Sequence, residues 1–280
     1  MPVLRDIDVW LSEDDLRVLA RVAGPGRGQT VRAGGIARAE EPTRPEEGVR
    51  AVAEEARRLA APAAVYERFP LRPAGQDAVE VGGWRLSGRA LAHATRGATG
   101  AAVIVATIGP RLEEEVSART AAGRVCEAFA LDAAGSLLVE RLVTAVCARV
   151  ESEAAAAGLR TGPPLGPGHA DWPVSEQERL FDLLRPEASI GVRLTGGGLM
   201  VPVKSASVLV GVGVDPAVAG GSRCDACMLA AACRYRRSRR PTRAVREVGP
   251  GARPSGPTER AGRAATPSGR ADEGEGGKVS

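Results

Sequence analysis

Residues 167–184 read PGHADWPVSEQERLFDLL, and residues 190–214 read IGVRLTGGGLMVPVKSASVLVGVGV. The first stretch opens on Pro167-Gly168, a turn signal. Pro173 then biases Trp172 towards an extended backbone. Ser175 and Glu178 have the spacing of a capping box, so a helix is expected to start at Ser175. Leu180, Phe181, Leu183 and Leu184 give that helix an apolar face, and Pro186 ends it. In the second stretch, residues 190–195 alternate apolar with small or polar side chains, the period of a half-buried strand. Gly196-Gly197-Gly198 is a loop. Residues 205–214 form a second strand, with Val208, Val210, Val212 and Val214 on one face.

Punctuation organises the rest of the chain. Residues 12–23 read as a helix in which Ser12 caps and Asp15 reciprocates. Residues 27–45 are irregular, and residues 46–61 form an Ala- and Glu-rich helix after Pro45. Residues 64–71 and 78–86 are strand candidates. An apolar strand over 101–107 runs into Gly109-Pro110, and a helix follows from Leu112 to about Ala122. Residues 126–157 make the longest helical segment. Its small residues Ala133, Ala134, Gly135 and Ser136 allow another element to approach closely. Cys126 and Cys147, within it, are expected as buried small apolar side chains. Strands scattered among helices, without strict alternation, suit an α+β class.

Composition bounds the function. Of 280 residues, 44% are hydrophobic and 3% aromatic, so the core must rest on Ala, Val and Leu. The net charge is +4, and residues 238–280 carry nine basic and five acidic residues, which is all of it. Residues 1–237 are therefore neutral overall, which argues against a nucleic-acid partner. The run Arg234, Arg236, Arg237, Arg239 and Arg240 lacks interleaved aromatics beyond Tyr235 and reads as a solvated segment. Residues 238–280 are rich in Arg, Pro, Gly, Ser and Glu and are expected to be disordered. Met1 opens no signal-peptide pattern, and no apolar run reaches membrane-spanning length, so a cytoplasmic protein without membrane contact is expected. With only His93 and His169, and no Ser-His-Asp pattern, general-base catalysis has little material. Ile108-Gly109-Pro110 lacks the glycine and lysine pattern of a phosphate loop.

Cys224, Cys227 and Cys233 have the spacing C-x2-C-x5-C. A C-x2-C turn sets two thiolates on one side. An iron–sulfur cluster with a fourth ligand from elsewhere, a zinc site completed by His93 or His169, and three thiols that bind nothing are all compatible with it.

These segments together resemble the activation domain of vitamin B12-dependent methionine synthase. Pro167-Gly168-His169 resembles the family's proline-glycine-tyrosine turn. Leu194-Thr195 resembles the start of its leucine-threonine-glutamate-serine strand end. Met200, Pro202, Ser205 and Ser207 match its methionine-x-proline-x-x-serine-x-serine run. Residues 106–112 (ATIGPRL) and 131–136 (LDAAGS) resemble two further blocks of stand-alone members, which often end in a similar cysteine cluster. The resemblance covers roughly residues 3 to 237.

It implies an α+β fold with a twisted antiparallel sheet and packed helices. It divides the chain into an activation-domain-like domain over 1–220, a cysteine segment over 221–237 and a tail over 238–280. It implies S-adenosylmethionine binding by Pro167, Gly168, His169, Asp171, Trp172, Thr195, Pro202, Ser205 and Ser207. It implies a partner carrying a corrinoid, such as methionine synthase, whose oxidised cofactor is reduced and remethylated, and an electron donor such as a flavodoxin or ferredoxin. Cys224, Cys227 and Cys233 would offer an electron route. An accessory or electron-transfer subunit of another corrinoid methyltransferase system is the alternative. The chain departs from the pattern at Pro164, where the family has an arginine suited to a carboxylate, and at His169, Gly196 and Gly197, where it has tyrosine, glutamate and serine.

Overall fold

A seven-stranded antiparallel sheet with helices on both faces is the frame of the computed structural model, which describes residues 1–5, 7–23, 45–215, 233 and 235. In chain order the strands are β1 (Val3–Arg5), β2 (Ala63–Pro73), β3 (Ala78–Val81), β4 (Trp84–Ser87), β5 (Gly100–Thr107), β6 (Arg160–Thr161) and β9 (Ser205–Gly213), with β7 (Arg193–Leu194) and β8 (Met200–Val201) forming a separate two-stranded ribbon. The spatial order is β4-β3-β2-β5-β9-β6, and β1 pairs with β2. The helices are α1 (Glu13–Ala23), α2 (Pro45–Leu59), α3 (Arg89–Ala94), α4 (Arg111–Ala121), α5 (Val125–Ala156), α6 (Gln177–Leu184) and α7 (Pro186–Ile190).

Strand register explains the two cores. Ile104 of β5 lies between Tyr66 of β2 and Val208 of β9. Because side chains alternate across a strand, Ala64, Tyr66, Ala102, Ile104, Ala106, Val208, Val210 and Val212 share a face. Leu131, Leu138, Leu142 and Val146 of α5 cover it, with Val18, Leu19 and Val22 of α1 and Ala56 of α2. Val65, Val103, Val105 and Leu209 point to the other face, against Leu91 of α3, Trp172, and Leu180 and Leu184 of α6. Small side chains on the strands let α5, 32 residues long, lie close along the first face. At Gly135 an added Cβ would come within 2.7 Å of Leu112 on α4, which is the close approach that the Ala133–Ser136 run allows.

The local signals fared unevenly. Ser12 and Asp15 form the reciprocal cap: the Ser12 amide donates to Asp15 Oδ2 at 2.8 Å, and the Asp15 amide donates to Ser12 Oγ at 3.3 Å. Arg141 of α5 completes it, donating to Asp15 Oδ2 at 2.5 Å and to Ser12 Oγ at 2.7 Å. Ser175 does not cap α6. Residues Val174–Glu176 form a 3-10 turn, the helix begins at Gln177, and no side chain caps it. The Glu176 carboxylate is instead drawn to the Ser87 amide and the Trp172 indole. Pro186 ends α6 and also starts α7 at its first position, after Arg185 takes a left-handed backbone at φ +45°. That helix runs through Ile190, so only Arg193 and Leu194 of the expected strand over 190–195 are paired. The expected strand over 78–86 is a hairpin, folded at Gly82 and Gly83 with φ +56° and +88°. Cys126 is exposed and Cys147 half-buried, so neither is the fully buried side chain expected. No helix among the described residues is long and apolar enough to cross a membrane.

Candidate functional site

The 166–172 turn is built by its own backbone. The His169 amide donates to Gly166 O, the Gly168 amide to Trp172 O and the Trp172 amide to His169 O, at 3.1, 2.9 and 3.1 Å. Gly168 at φ +86° and Ala170 at φ +51° take left-handed conformations. Ala170 has a Cβ, so the turn holds a strained residue of the kind that gathers at functional sites. His169 is half-buried and its Nδ1 lies 3.1 Å from Gly166 O. A carbonyl only accepts, so it is the Nδ1–H tautomer that makes this contact a hydrogen bond.

Two acids beside the turn serve the neighbouring corner. Helix α3 has Gly88 at its cap and no side-chain cap of its own. The Asp171 carboxylate supplies one from a distance, accepting from the Arg89 and Ala90 amides at 3.0 and 2.9 Å. Those bonds, the Ala90 amide foremost, hold its carboxyl below the ordinary carboxylate range. Glu176 accepts from the Ser87 amide at 2.8 Å and from the Trp172 indole at 3.0 Å. Trp172 is 1% exposed and packs in the second core, against the backbone at Gly88.

The strand pair meets the turn at Ser207. A Cβ added to Gly166 would lie 2.6 Å from Ser207 O, so only glycine lets these backbones approach. Leu165 also pairs with Leu209 of β9. The Ser207 hydroxyl donates to Gln177 Oε1 at 3.0 Å, and Gln177 Nε2 donates to Gly198 O at 2.9 Å. Thr195 closes the β7–β8 loop: its amide donates to Leu199 O at 2.8 Å, and its Oγ1 accepts from the Leu199 amide at 3.1 Å. Pro202 is buried after a cis peptide bond, and the Ser205 hydroxyl donates to its carbonyl at 2.6 Å. The turn, the glycine loop and β9 thus converge, and Gln177 and Gly166 join them. Sequence reasoning named neither. The signal was present for Gln177: it stands three and seven residues before Leu180 and Leu184, on the apolar face of α6.

Cys224 and Cys227 fall outside the described residues, as does the expected disordered tail. Cys233 is half-buried, and Tyr235 packs partly into the core on the α5 side of the sheet. Burial pushes the Tyr235 phenol up, Asp132 and Cys233 add to the rise, and the Ser136 hydroxyl opposes it. Lys204, 8% exposed, donates to Asp132 Oδ1 at 2.7 Å and Ser136 Oγ at 2.9 Å in the same region. Among the described residues no three His, Cys, Asp or Glu side chains are grouped to hold a metal ion. His93 is not near His169 in role: it lines a cleft of about 580 Å³ beside α3 with Asp77, Arg89 and Arg96. At the β5–α4 connection, the Gly109 amide donates to Thr107 Oγ1, and Glu113 in the first turn of α4 accepts from the Val203 amide.

No family model and no curated protein sequence matches the chain. Among solved structures, the crystal structure of the MetH reactivation domain bound to AdoHcy is similar to it, with a TM-score of 0.51 and 16% sequence identity. The similarity covers 81% of this chain and 83% of that one. The chain has the fold of the methionine synthase reactivation domain. The α+β expectation, with a twisted antiparallel sheet and packed helices, holds. Within the reactivation-domain fold, the Gly166–Trp172 turn belongs to the face covered by α3 and α6, whereas Tyr235 belongs to the face covered by α5.

Proposed function

We propose that this chain serves a corrinoid methyltransferase as a reactivation domain does, by placing an S-adenosyl ligand against a corrinoid carried by a partner. One observation carries the reading: a fold shared over most of both chains with a domain solved bound to AdoHcy. The convergence of the Gly166–Trp172 turn, the Thr195 loop and Ser207 supports it, because these are the segments that the sequence resemblance nominates for the ligand. Fold by itself does not give function, so the residues must fit the ligand. The backbone around Gly168 is exposed, and the His169 ring is half-buried beside it, suited to lie against an adenine. Asp171, Trp172, Thr195, Ser205 and Ser207 each hold a polar group bonded within the fold, so they shape the site. S-adenosylmethionine, when bound, supplies the methyl group. The chain's contribution is to orient it and hold it away from water. The methyltransferase partner, the flavodoxin- or ferredoxin-like electron donor and the cytoplasmic location belong to this proposal.

The test is an S-adenosylmethionine titration by calorimetry on anaerobically purified protein, repeated with His169→Ala. Micromolar binding, weakened by about tenfold or more in the variant, is expected for a base–aromatic contact. Absence of binding at near-millimolar ligand overturns the reading.

One feature favours the accessory-subunit alternative: Pro164 stands where the family has an arginine, and the Asp171 carboxylate and the Ser205 and Ser207 hydroxyls are engaged within the fold. A protein that docks without binding the ligand would keep this frame. For electron transfer, iron and sulfide analysis decides. If Cys224, Cys227 and Cys233 hold an iron–sulfur cluster, anaerobic protein contains both elements, and replacing all three cysteines by serine removes them. Zinc in their place, or no metal, sinks the electron route.

A further inference from the structure

Helix α6 buries three side chains on one face: Gln177, Leu180 and Leu184. Two are core leucines at 0% exposure, and the third is a primary amide at 5%. An amide on a buried face is costly unless it is hydrogen-bonded, and this one is bonded at both ends to different segments. Its Oε1 accepts from Ser207 of β9, and its Nε2 donates to Gly198 O in the loop between β7 and β8. The loop needs such a tie. A Cβ added to Gly196 or Gly198 would meet nothing within 4 Å, so open space surrounds it, and three consecutive glycines lose much conformational freedom on ordering. Ser207 is also the point where Gly166 brings the turn against β9. One side chain therefore connects the glycine loop to the strand on which the turn rests.

We propose that Gln177 is the positioning residue of the candidate site, holding the Gly196–Gly198 loop against β9 at Ser207 and so fixing its place relative to the Gly166–Trp172 turn. The ligand consequence rests on the S-adenosylmethionine reading above, while the loop consequence does not. Leucine at this position, in keeping with Leu180 and Leu184, would satisfy the core but leave the Ser207 hydroxyl without its acceptor and the loop without its tie.

Gln177→Met keeps the length and packing of the side chain and removes both hydrogen bonds. Two measurements read it: amide deuterium exchange across the folded chain, and S-adenosylmethionine affinity by calorimetry. Exchange at residues 195–199 is expected to rise about tenfold, the equivalent of one lost net hydrogen bond, while β2 and β5 exchange as in the parent. The dissociation constant is expected to rise by about the same factor. Unchanged exchange at the loop overturns the proposal. So does an equal rise throughout the sheet, which marks a merely structural residue, and so does unchanged affinity in a parent that binds. If the parent binds no ligand and the loop still loosens selectively, the positioning of the loop stands and the ligand reading falls. Should Gln177→Met fail to fold, Gln177→Glu decides: its carboxylate still accepts from Ser207 but cannot donate to Gly198 O. Selective loosening of the loop is then expected, and its absence overturns the proposal.

Discussion

Asp171 illustrates how a residue acquires its role from a segment remote in the chain. It is 82 residues from the Arg89 amide it caps, and nothing in the Asp-Trp-Pro sequence announces that partner. Its folded carboxyl is held below its ordinary value, so the sign is fixed: the charged form stabilises the fold above the ordinary carboxylate range, near about 4, and this contribution is lost as pH falls below it towards the folded value. Asp171→Ala is expected to lower stability at pH 7 by about 0.5–1 kcal/mol, the low end of the capping range because the side chain is 41% exposed. Urea unfolding of parent and variant should converge as the pH is lowered through that range. A difference that persists undiminished at the acid end would show that the charge is not what matters. His169 has the contrary property. Its turn is local, so Pro167-Gly168 was legible as a turn, but its contact with Gly166 O depends on the left-handed Gly168 between them.

Among the elements, the junction of the turn with β9 is the most demanding. Gly166 has no side chain because Ser207 O occupies the space where one would begin. Backbone cannot swing aside as a side-chain terminus can, so Gly166→Ala must part the two segments. A loss of about 1–3 kcal/mol is expected for that overpacking, and the Leu165–Leu209 amides should exchange faster in the variant. A variant as stable as the parent would mean that the turn is not seated on β9. The failures of local reading at α6 and α7 have the same origin. A capping box at Ser175 was sound by local rules, but residues 174–176 close a 3-10 turn whose Glu176 carboxylate is bonded to Ser87 and Trp172, and α6 starts at Gln177. The strand expected over 190–195 was shortened because Pro186 nucleates a helix that consumes its first residue.

At the scale of the whole molecule, one buried guanidinium ties the helical layer together. Arg119 of α4 is 8% exposed at its side chain. It donates to Glu55 of α2 and to Glu115 of its own helix at 2.7 Å, with Glu127 of α5 3.9 Å away. Three helices thus share a charge whose removal takes from Glu55 its ion pair, while Glu115 and Glu127 keep Arg124 at 3.9 and 3.2 Å. Arg119→Met is expected to cost about 2 kcal/mol in urea unfolding, with the α2 amides losing protection before those of the sheet. A neutral effect would show that solvent serves these acids equally well.

The sequence by itself determined the elements whose signals are local: the Ser12–Asp15 cap, the apolar strands that became β2, β5 and β9, and the long helix that became α5. It also nominated the turn and the serine strand, because a glycine turn and an alternating strand are written in neighbouring residues. Only the tertiary structure decided which of those residues meet. Gly166 and Ser207, 41 positions apart in the sequence, touch because β9 lies beside the turn. Gln177 is in their midst because helical periodicity turns it inward with Leu180 and Leu184. Tyr235 lies on the opposite face of the sheet because Ser136 and the α5 core receive it there. Long-range pairings of this kind carry no signal in a short window, since the free energy that selects them comes from burial and hydrogen bonds made only once the sheet has assembled.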